Sequence, residues 1–187
     1  MTEVEFLRFI VGNDRVKMDP TKVESITSWP TPKSPYDVRM FLGLANFYRR
    51  FIRGFNDLAK PLTRPLKKDN LMKRFHWDPE VQKAFDYLRT AFTTAPILRH
   101  FDPERPTIIE ADASDFTIGA VVSQVAPEDG KLHPIAFYSK TLNTAKQNYE
   151  IYNKEMLAIV ESLEHYRHLF EGLEQQITIY LDHHNPL

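Results

Sequence analysis

The stretch Thr107-Ile108-Ile109-Glu110-Ala111-Asp112, resumed after a short break by Ile118-Gly119-Ala120-Val121-Val122, constrains this chain more than any other. β-Branched residues crowd both runs and Asp112 to Asp115 interrupts them with turn chemistry, so the pair reads as two strands joined by a turn. An acid, Asp112, is thereby fixed at the end of a buried strand but close to water. A carboxylate held on a rigid element near solvent suits metal binding. An Asp after an apolar strand is more often a turn former, so Asp112 alone does not separate the two readings.

The rest of the second half adds to that pair. Glu128-Asp129-Gly130-Lys131 is a turn, and His133 to Tyr138 reads as a third antiparallel strand. A helix is expected from Tyr152 to Phe170, with Tyr152, Met156, Ile159, Val160, Leu163, Tyr166 and Phe170 as its apolar stripe, Glu155 at the stripe's edge and Gly172 closing it. Gln176 to Leu181 then forms a fourth strand that ends in Asp182. With a helix as the crossover, this strand should run parallel to the first. Asp112 and Asp182 then lie near one end of adjacent strands, with Glu155 facing them from the helix. Carboxylates brought that close repel one another unless a cation offsets the charge. Hard oxygen donors favour Mg²⁺ or Mn²⁺, and two such ions about 4 Å apart can activate water and stabilise the leaving oxygen of a phosphodiester. The alternative makes Glu155 an exposed helix acid paired with Lys154 or Arg167 and both aspartates turn residues; spacing alone leaves the readings level. His183 and His184 are adjacent on an extended segment and point to opposite faces, which argues against a zinc site.

The first half has a different texture. Val4 to Val11 is rich in strand formers, Gly12-Asn13-Asp14 is turn chemistry, and Arg15 to Met18 can return as a partner strand. Asp19-Pro20 opens a helix through Val23, Ile26 and Trp29, stopped by Pro30 and Pro32. Ser34, with Asp37 three residues on, caps a second helix that carries Val38, Phe41, Leu42, Ala45, Tyr48, Phe51 and Ile52, with Gly54 at its C-cap. A third helix is expected over Asp57 to Leu66, and a fourth from Asp78-Pro79 through Phe92. Arg39, Asn46, Arg49, Arg50 and the nearby Arg53 form a basic face studded with aromatics. It is either a solvated surface or a track for a phosphate backbone, to which Arg and Lys give sequence-independent affinity.

Composition narrows the possibilities further. The 187 residues contain no cysteine, which excludes disulfides and thiolate metal sites and is compatible with an intracellular setting. No apolar run approaches the roughly 20 residues of a membrane span, and the N-terminus lacks the apolar core of a signal peptide, so no membrane partner is expected. With 24 basic and 25 acidic residues, any nucleic-acid surface must come from local clustering. Such clustering is present: Arg49, Arg50, Arg53, Lys60, Arg64, Lys67, Lys68, Lys73 and Arg74 fall in one short region, while most acids lie in the second half.

A longer series of motifs identifies a resemblance. Arg39-Met40-Phe41-Leu42-Gly43-Leu44-Ala45-Asn46-Phe47-Tyr48-Arg49-Arg50-Phe51-Ile52 is followed by Ala59-Lys60-Pro61-Leu62-Thr63 and Phe75-His76-Trp77. Then come Asp112-Ala113-Ser114-Asp115, Ile118-Gly119-Ala120-Val121, Pro134-Ile135-Ala136-Phe137-Tyr138-Ser139, Asn148-Tyr149, Lys154-Glu155-Met156-Leu157-Ala158-Ile159-Val160 and Asp182-His183. In this order, over nearly the whole chain, they resemble the C-terminal part of a Ty3/gypsy-type LTR-retrotransposon reverse transcriptase, from the end of the polymerase region into ribonuclease H.

The resemblance implies an α+β/α/β architecture: the end of a palm at 1–18, a thumb-like helical region at 19–68, a connecting helix at 69–100 and an RNase H-like domain at 101–187. That domain is expected to hold three antiparallel strands, a helix and a parallel strand, and to be truncated at its C-terminal end. Asp112, Glu155 and Asp182 match the family's catalytic acids, which act with two Mg²⁺ or Mn²⁺ ions on the RNA of RNA–DNA hybrids. Arg49, Arg50, Arg53 and Lys60 would contact the hybrid or duplex, and the remainder of a retroelement polyprotein would be the protein partner, in cytoplasm or nucleus. The departures are as informative. No Asp-Asp pair occurs, so the polymerase site is absent, and the fourth RNase H acid would lie beyond Leu187. Ala111 and Leu181 stand where Thr commonly precedes each Asp, and Asn153 where an acid is common. Two classes of function follow: a two-metal ribonuclease H region of a retrotransposon polyprotein, with weak or no cleavage expected from these residues alone, or a non-catalytic retroelement remnant that binds nucleic acid.

Overall fold

The computed structural model describes residues 3–66 and 75–181. The chain divides into two compact units, Met1–Asn13 with Lys17–Pro96, and Asp14–Val16 with Ile97–Leu187.

In the first unit the expected opening strand is instead a hairpin. β1 (Val4–Phe6) and β2 (Phe9–Val11) pair antiparallel, Val4 opposite Val11 and Phe6 opposite Phe9. The turn is made by Leu7 and Arg8, at φ 48° and 68°. Such a turn normally recruits Asn or Gly, so nothing in the local sequence announces it. Tertiary contacts hold it in place. The Tyr48 hydroxyl donates to the Arg8 carbonyl at 2.8 Å, the Arg8 guanidinium lies 5.6 Å from the Phe47 ring centre, and Phe9 stacks on Phe47 and Phe51. Burial pushes the Tyr48 hydroxyl up to about 12, which keeps it a donor at neutral pH. β3 (Arg15–Met18) follows β2 in strand order, as the Gly12-Asn13-Asp14 turn requires.

Side-chain caps start three of the helices. Asp19 accepts from the Thr21 amide at α1 (Pro20–Thr27), Ser34 from Asp37 at α2 (Pro35–Phe47) and Asp78 from Val81 at α4 (Pro79–Thr93), each followed by a proline at the first helical position. The second helix is shorter than its apolar spacing suggests. α2 ends at Phe47, a 3-10 turn covers Arg49–Phe51, and Gly54, at φ 62°, is the N-cap of α3 (Phe55–Thr63) rather than a C-cap. Tyr48, Phe51 and Ile52 are still buried, because the turn folds them back onto the same core. That core is aromatic: Phe41 lies 5.9 Å from Trp29 and 4.7 Å from Phe85, ring centre to ring centre, and Trp77 packs edge-on to Phe85. Arg89 on α4 lies over Phe85 and donates to the Thr27 carbonyl, supplying a partner to the last turn of α1.

The second unit is built on a mixed sheet of order β7-β6-β5-β8. β5 (Thr107–Ala113), β6 (Thr117–Val125) and β7 (Leu132–Thr141) form the antiparallel meander, and β8 (Ile177–Leu181) runs parallel to β5, as the crossover helix requires. A short strand not foreseen, β4 (Leu98–Arg99), pairs with β3 residues that belong to this unit: Arg15 lies opposite Arg99 and Val16 opposite Leu98. Arg99 is ion-paired to both Asp14 and Glu128, which hold its charge between two loops. Buried Gln124 closes the other end of β6. Its amide donates to the carbonyl of Asp102 at 2.8 Å and its carbonyl accepts from the Asp102 amide at 3.0 Å.

The long crossover helix departs from the expected one in both extent and face. Short α5 (Thr144–Gln147) precedes α6 (Ile151–His165), and α6 stops at Tyr166, before a separate turn of helix, α7 (Arg167–Phe170). Its buried residues are Lys154, Glu155, Ala158 and Ser162, whereas Tyr152, Met156 and Val160 are exposed. Ile159, Leu163, Tyr166 and Phe170 of the expected stripe do belong to or pack against the sheet core, so the inward face is turned only partly away from the expected one. Small residues let α6 lie close to β5 and β6, and a bulkier stripe would hold it off. Tyr166, past the helix end, packs into the sheet core with Ile109, Ala111, Ala120 and Tyr138, its hydroxyl donating to the Phe137 carbonyl at 3.0 Å.

Candidate functional site

Asp112 is the sixth residue of β5 and is exposed, alternating with Ala111 and Ala113, whose side chains pack into the sheet core. The turn that follows it is tightly organised. Ser114 donates its amide to the Thr117 carbonyl at 2.8 Å, and its hydroxyl accepts from the Thr117 amide at 3.1 Å, a side-chain turn that fixes how β5 hands over to β6.

Glu155 lies in the first turns of α6 on the buried face, at 9% exposure, beside Ala158 and Ser162. The alternative that made it an exposed helix acid therefore does not hold. Its expected partners are engaged elsewhere: Arg167 pairs with Glu171 at 3.0 Å, and the Lys154 ammonium lies 3.5 Å from Asp115. Lys154, itself buried, is a residue that sequence reasoning placed only as a partner for Glu155; its position ties the first turn of α6 to the turn after Asp112. Asp182, with His183 and His184, lies outside the described residues. Ala111 and Leu181, which precede the two aspartates, are register partners in β5 and β8. Among the described residues no group of three or more His, Asp or Glu side chains is assembled that could hold a metal ion. The donor chemistry of Asp112 and Glu155, carboxylate oxygens without nitrogen or sulfur, fits a hard divalent cation.

Charge elsewhere in this unit is spent on structure. Glu161 on α6 is bound by Lys140 of β7 and, at 2.8 Å, by Lys146 of α5. These two ammonium groups hold its carboxyl below the usual range, Lys140 contributing most. The pairs fasten the outer side of α6 to β7 and α5.

The basic candidates all belong to the first unit. Arg49 and Arg50 are in the 3-10 turn rather than on α2, a correction that follows from the early end of that helix. The Arg49 guanidinium lies 6.0 Å from the Phe55 ring centre, Arg50 and Arg53 are exposed, and Lys60 is half-buried on α3. Arg64 is paired with Glu80 of α4. Lys67, Lys68, Lys73 and Arg74 fall outside the described residues. Among the described residues no helix is long and apolar enough to cross a membrane.

Comparison with known proteins bears on the fold and the family. Curated relatives include the Tf2-3 and Tf2-4 transposon polyproteins of Schizosaccharomyces pombe, each 35% identical over 184 residues, or 98% of this chain. The chain spans only 14% of their length. Among solved structures, the foamy viral protease-reverse transcriptase in complex with dsDNA matches 99% of this chain and 37% of its own at a TM-score of 0.78 and 22% identity. The same enzyme in complex with RNA/DNA hybrid matches 96% of this chain and 24% of its own at a TM-score of 0.77. At that identity the likeness speaks for the fold. The model of the RNase H-like domain found in reverse transcriptase matches residues 77–179, which contain β5 to β7, α6 and both described acids; the chain belongs to that family.

Proposed function

We propose that this chain is the thumb-to-RNase H region of a Ty3/gypsy-type retrotransposon polyprotein, and that its second unit acts on the RNA strand of RNA–DNA hybrids in cytoplasm or nucleus. The observation that supports the reading is that Asp112 stands at the end of β5 and Glu155, buried, on the crossover helix between β7 and β8, the two places at which acids of this family are expected. Asp112 and Glu155, with Asp182, would hold Mg²⁺ or Mn²⁺; such ions lower the pKa of bound water and stabilise a leaving oxygen. The protein's own contribution is positional. The Ser114 turn fixes the end of β5, Lys154 fastens α6 to that turn through Asp115, and the Glu161 pairs steady the helix from its outer side.

The first unit supplies affinity in this reading. Residues 19–68 are assigned as thumb-like and 69–100 as connecting, with Arg49, Arg50, Arg53 and Lys60 against the phosphate backbone. Contacts of that kind position a duplex without reading its sequence.

The test is stabilisation by mass action. Mn²⁺ at about a hundred times its Kd should add about 2.7 kcal/mol to the stability of the second unit, seen as a rise in melting temperature. Asp112→Asn should abolish the rise while leaving the metal-free melting temperature unchanged. Equal melting temperatures with and without Mn²⁺ in the parent chain would sink the proposal.

A further inference from the structure

Gly119 is the third residue of the largely buried strand β6, where glycine costs backbone entropy and forgoes packing. Three ordinary reasons for a strand glycine do not apply to it. Its φ lies outside the left-handed region, so conformation does not demand it. The ladder to β7 is regular there, its one irregularity falling between Val122 and Ser123, so there is no bulge at Gly119. A methyl group added at Gly119 would meet nothing nearer than the Tyr138 carbonyl oxygen, at 3.4 Å, so its neighbours leave space for a side chain.

What remains is the space itself. Gly119 stands directly opposite Asp112 on β5 and Ser139 on β7, and residues opposite one another in antiparallel strands share a face. The row Asp112-Gly119-Ser139 carries no apolar side chain, unlike the next row, Glu110-Val121-Phe137. Ser139 is buried, but Gly119 is half-buried and Asp112 exposed, so the Asp112 end of the row, with no side chain at Gly119, suits a polar chain lying against it.

We propose that Gly119 is a positioning residue whose missing side chain leaves a notch beside Asp112 for the sugar–phosphate backbone of the RNA strand of a hybrid. This rests on the functional reading above and deepens it, because a strand to be hydrolysed has to reach Asp112 closely. A side chain at Gly119 would lift that backbone away, whereas the metal ligands would be untouched.

The chain has no cysteine, so Gly119→Cys creates its only thiol. Alkylation of that thiol by iodoacetamide is measured with and without a short RNA–DNA hybrid, binding being followed in parallel by fluorescence anisotropy. With hybrid at about ten times its Kd, the rate should fall about tenfold. A control thiol at exposed Glu174, which precedes β8 at the far end of the sheet, should react at one rate throughout. Gly119→Ala gives a second readout that does not depend on the thiol: it should keep the parent's melting temperature and bind hybrid about tenfold more weakly. If Gly119→Cys does not fold, the alanine variant decides. Hybrid bound by the parent chain, with the Gly119→Cys thiol unprotected or the alanine variant binding as the parent does, overturns this inference alone. Failure of the parent to bind hybrid overturns the functional reading and this inference with it.

Discussion

The two units solve opposite problems with the same chain. In the first, rings carry the core: Phe9, Phe41, Tyr48, Phe51 and Phe85 meet one another or Trp29 at 4.7–6.3 Å between centres, and the exposed Arg50 and Arg53 lie on the short turns beside that cluster. In the second, small and β-branched residues such as Ile109, Ala111, Ala120, Val122 and Ala158 make a thin core, and the polar groups are set by strand register. The contrast teaches where geometric accuracy resides. Long Arg and Lys side chains on turns provide charge that adapts to a backbone, while strand and helix positions hold Asp112 and Glu155 to a fixed place.

That contrast can be broken most forcefully through the cores. Phe41→Ala removes a fully buried ring and should cost about 3–5 kcal/mol, whereas Ala158→Leu should cost about 1–3 kcal/mol by forcing α6 off the sheet. Amide exchange should report the first loss in α1, α2 and α4 and the second in β5, β6 and α6. If either substitution opened both sets of amides equally, the cores would not be separate.

A smaller effect concerns adaptable charge. Replacing Arg49 and Arg50 together with Ala should leave the melting temperature of either unit nearly unchanged and lower the slope of log affinity for hybrid against log salt by about 2. The decisive number is the slope, measured by anisotropy across a salt series. A slope equal to the parent's would remove these arginines from the interface.

The smallest effect is the outer fastening of α6. Glu161→Gln should cost about 1 kcal/mol at neutral pH. Because the folded carboxyl titrates below its unfolded value, the Glu161 pairs contribute above the ordinary carboxylate range and their contribution is lost as pH falls through the depressed folded pKa. Parent and variant denaturation curves should therefore converge in acid. A difference that persisted there would mean that Glu161 acts by packing rather than charge.

Much of this was legible in the residues themselves. The caps Asp19, Ser34 and Asp78, each before a proline, located three helix starts, and runs of strand formers bounded by turn residues located β5 to β7, with the crossover helix making β8 parallel. Asp112 and Glu155 stood out by their places at a strand end and on the crossover helix, but spacing alone left their metal-binding role level with turn and surface roles, and the family resemblance made them candidates. What local pattern could not supply was decided by contacts distant in sequence. The Leu7-Arg8 turn is held by Tyr48 and Phe47, some forty positions away, and so overrides local turn preference. α2 breaks at Tyr48 because the ring cluster accepts Phe51 from a 3-10 turn as readily as from a helix. The buried face of α6 is the small-residue one because the sheet can approach it closely, although Tyr152, Met156 and Val160 make the more apolar stripe. Sequence alone thus determined most of the helix starts, the strands of the second sheet and the candidate acids. Tertiary packing decided which face of α6 turns inward, burying Glu155, because close contact between helix and sheet is a property of two surfaces and neither sequence segment contains it alone.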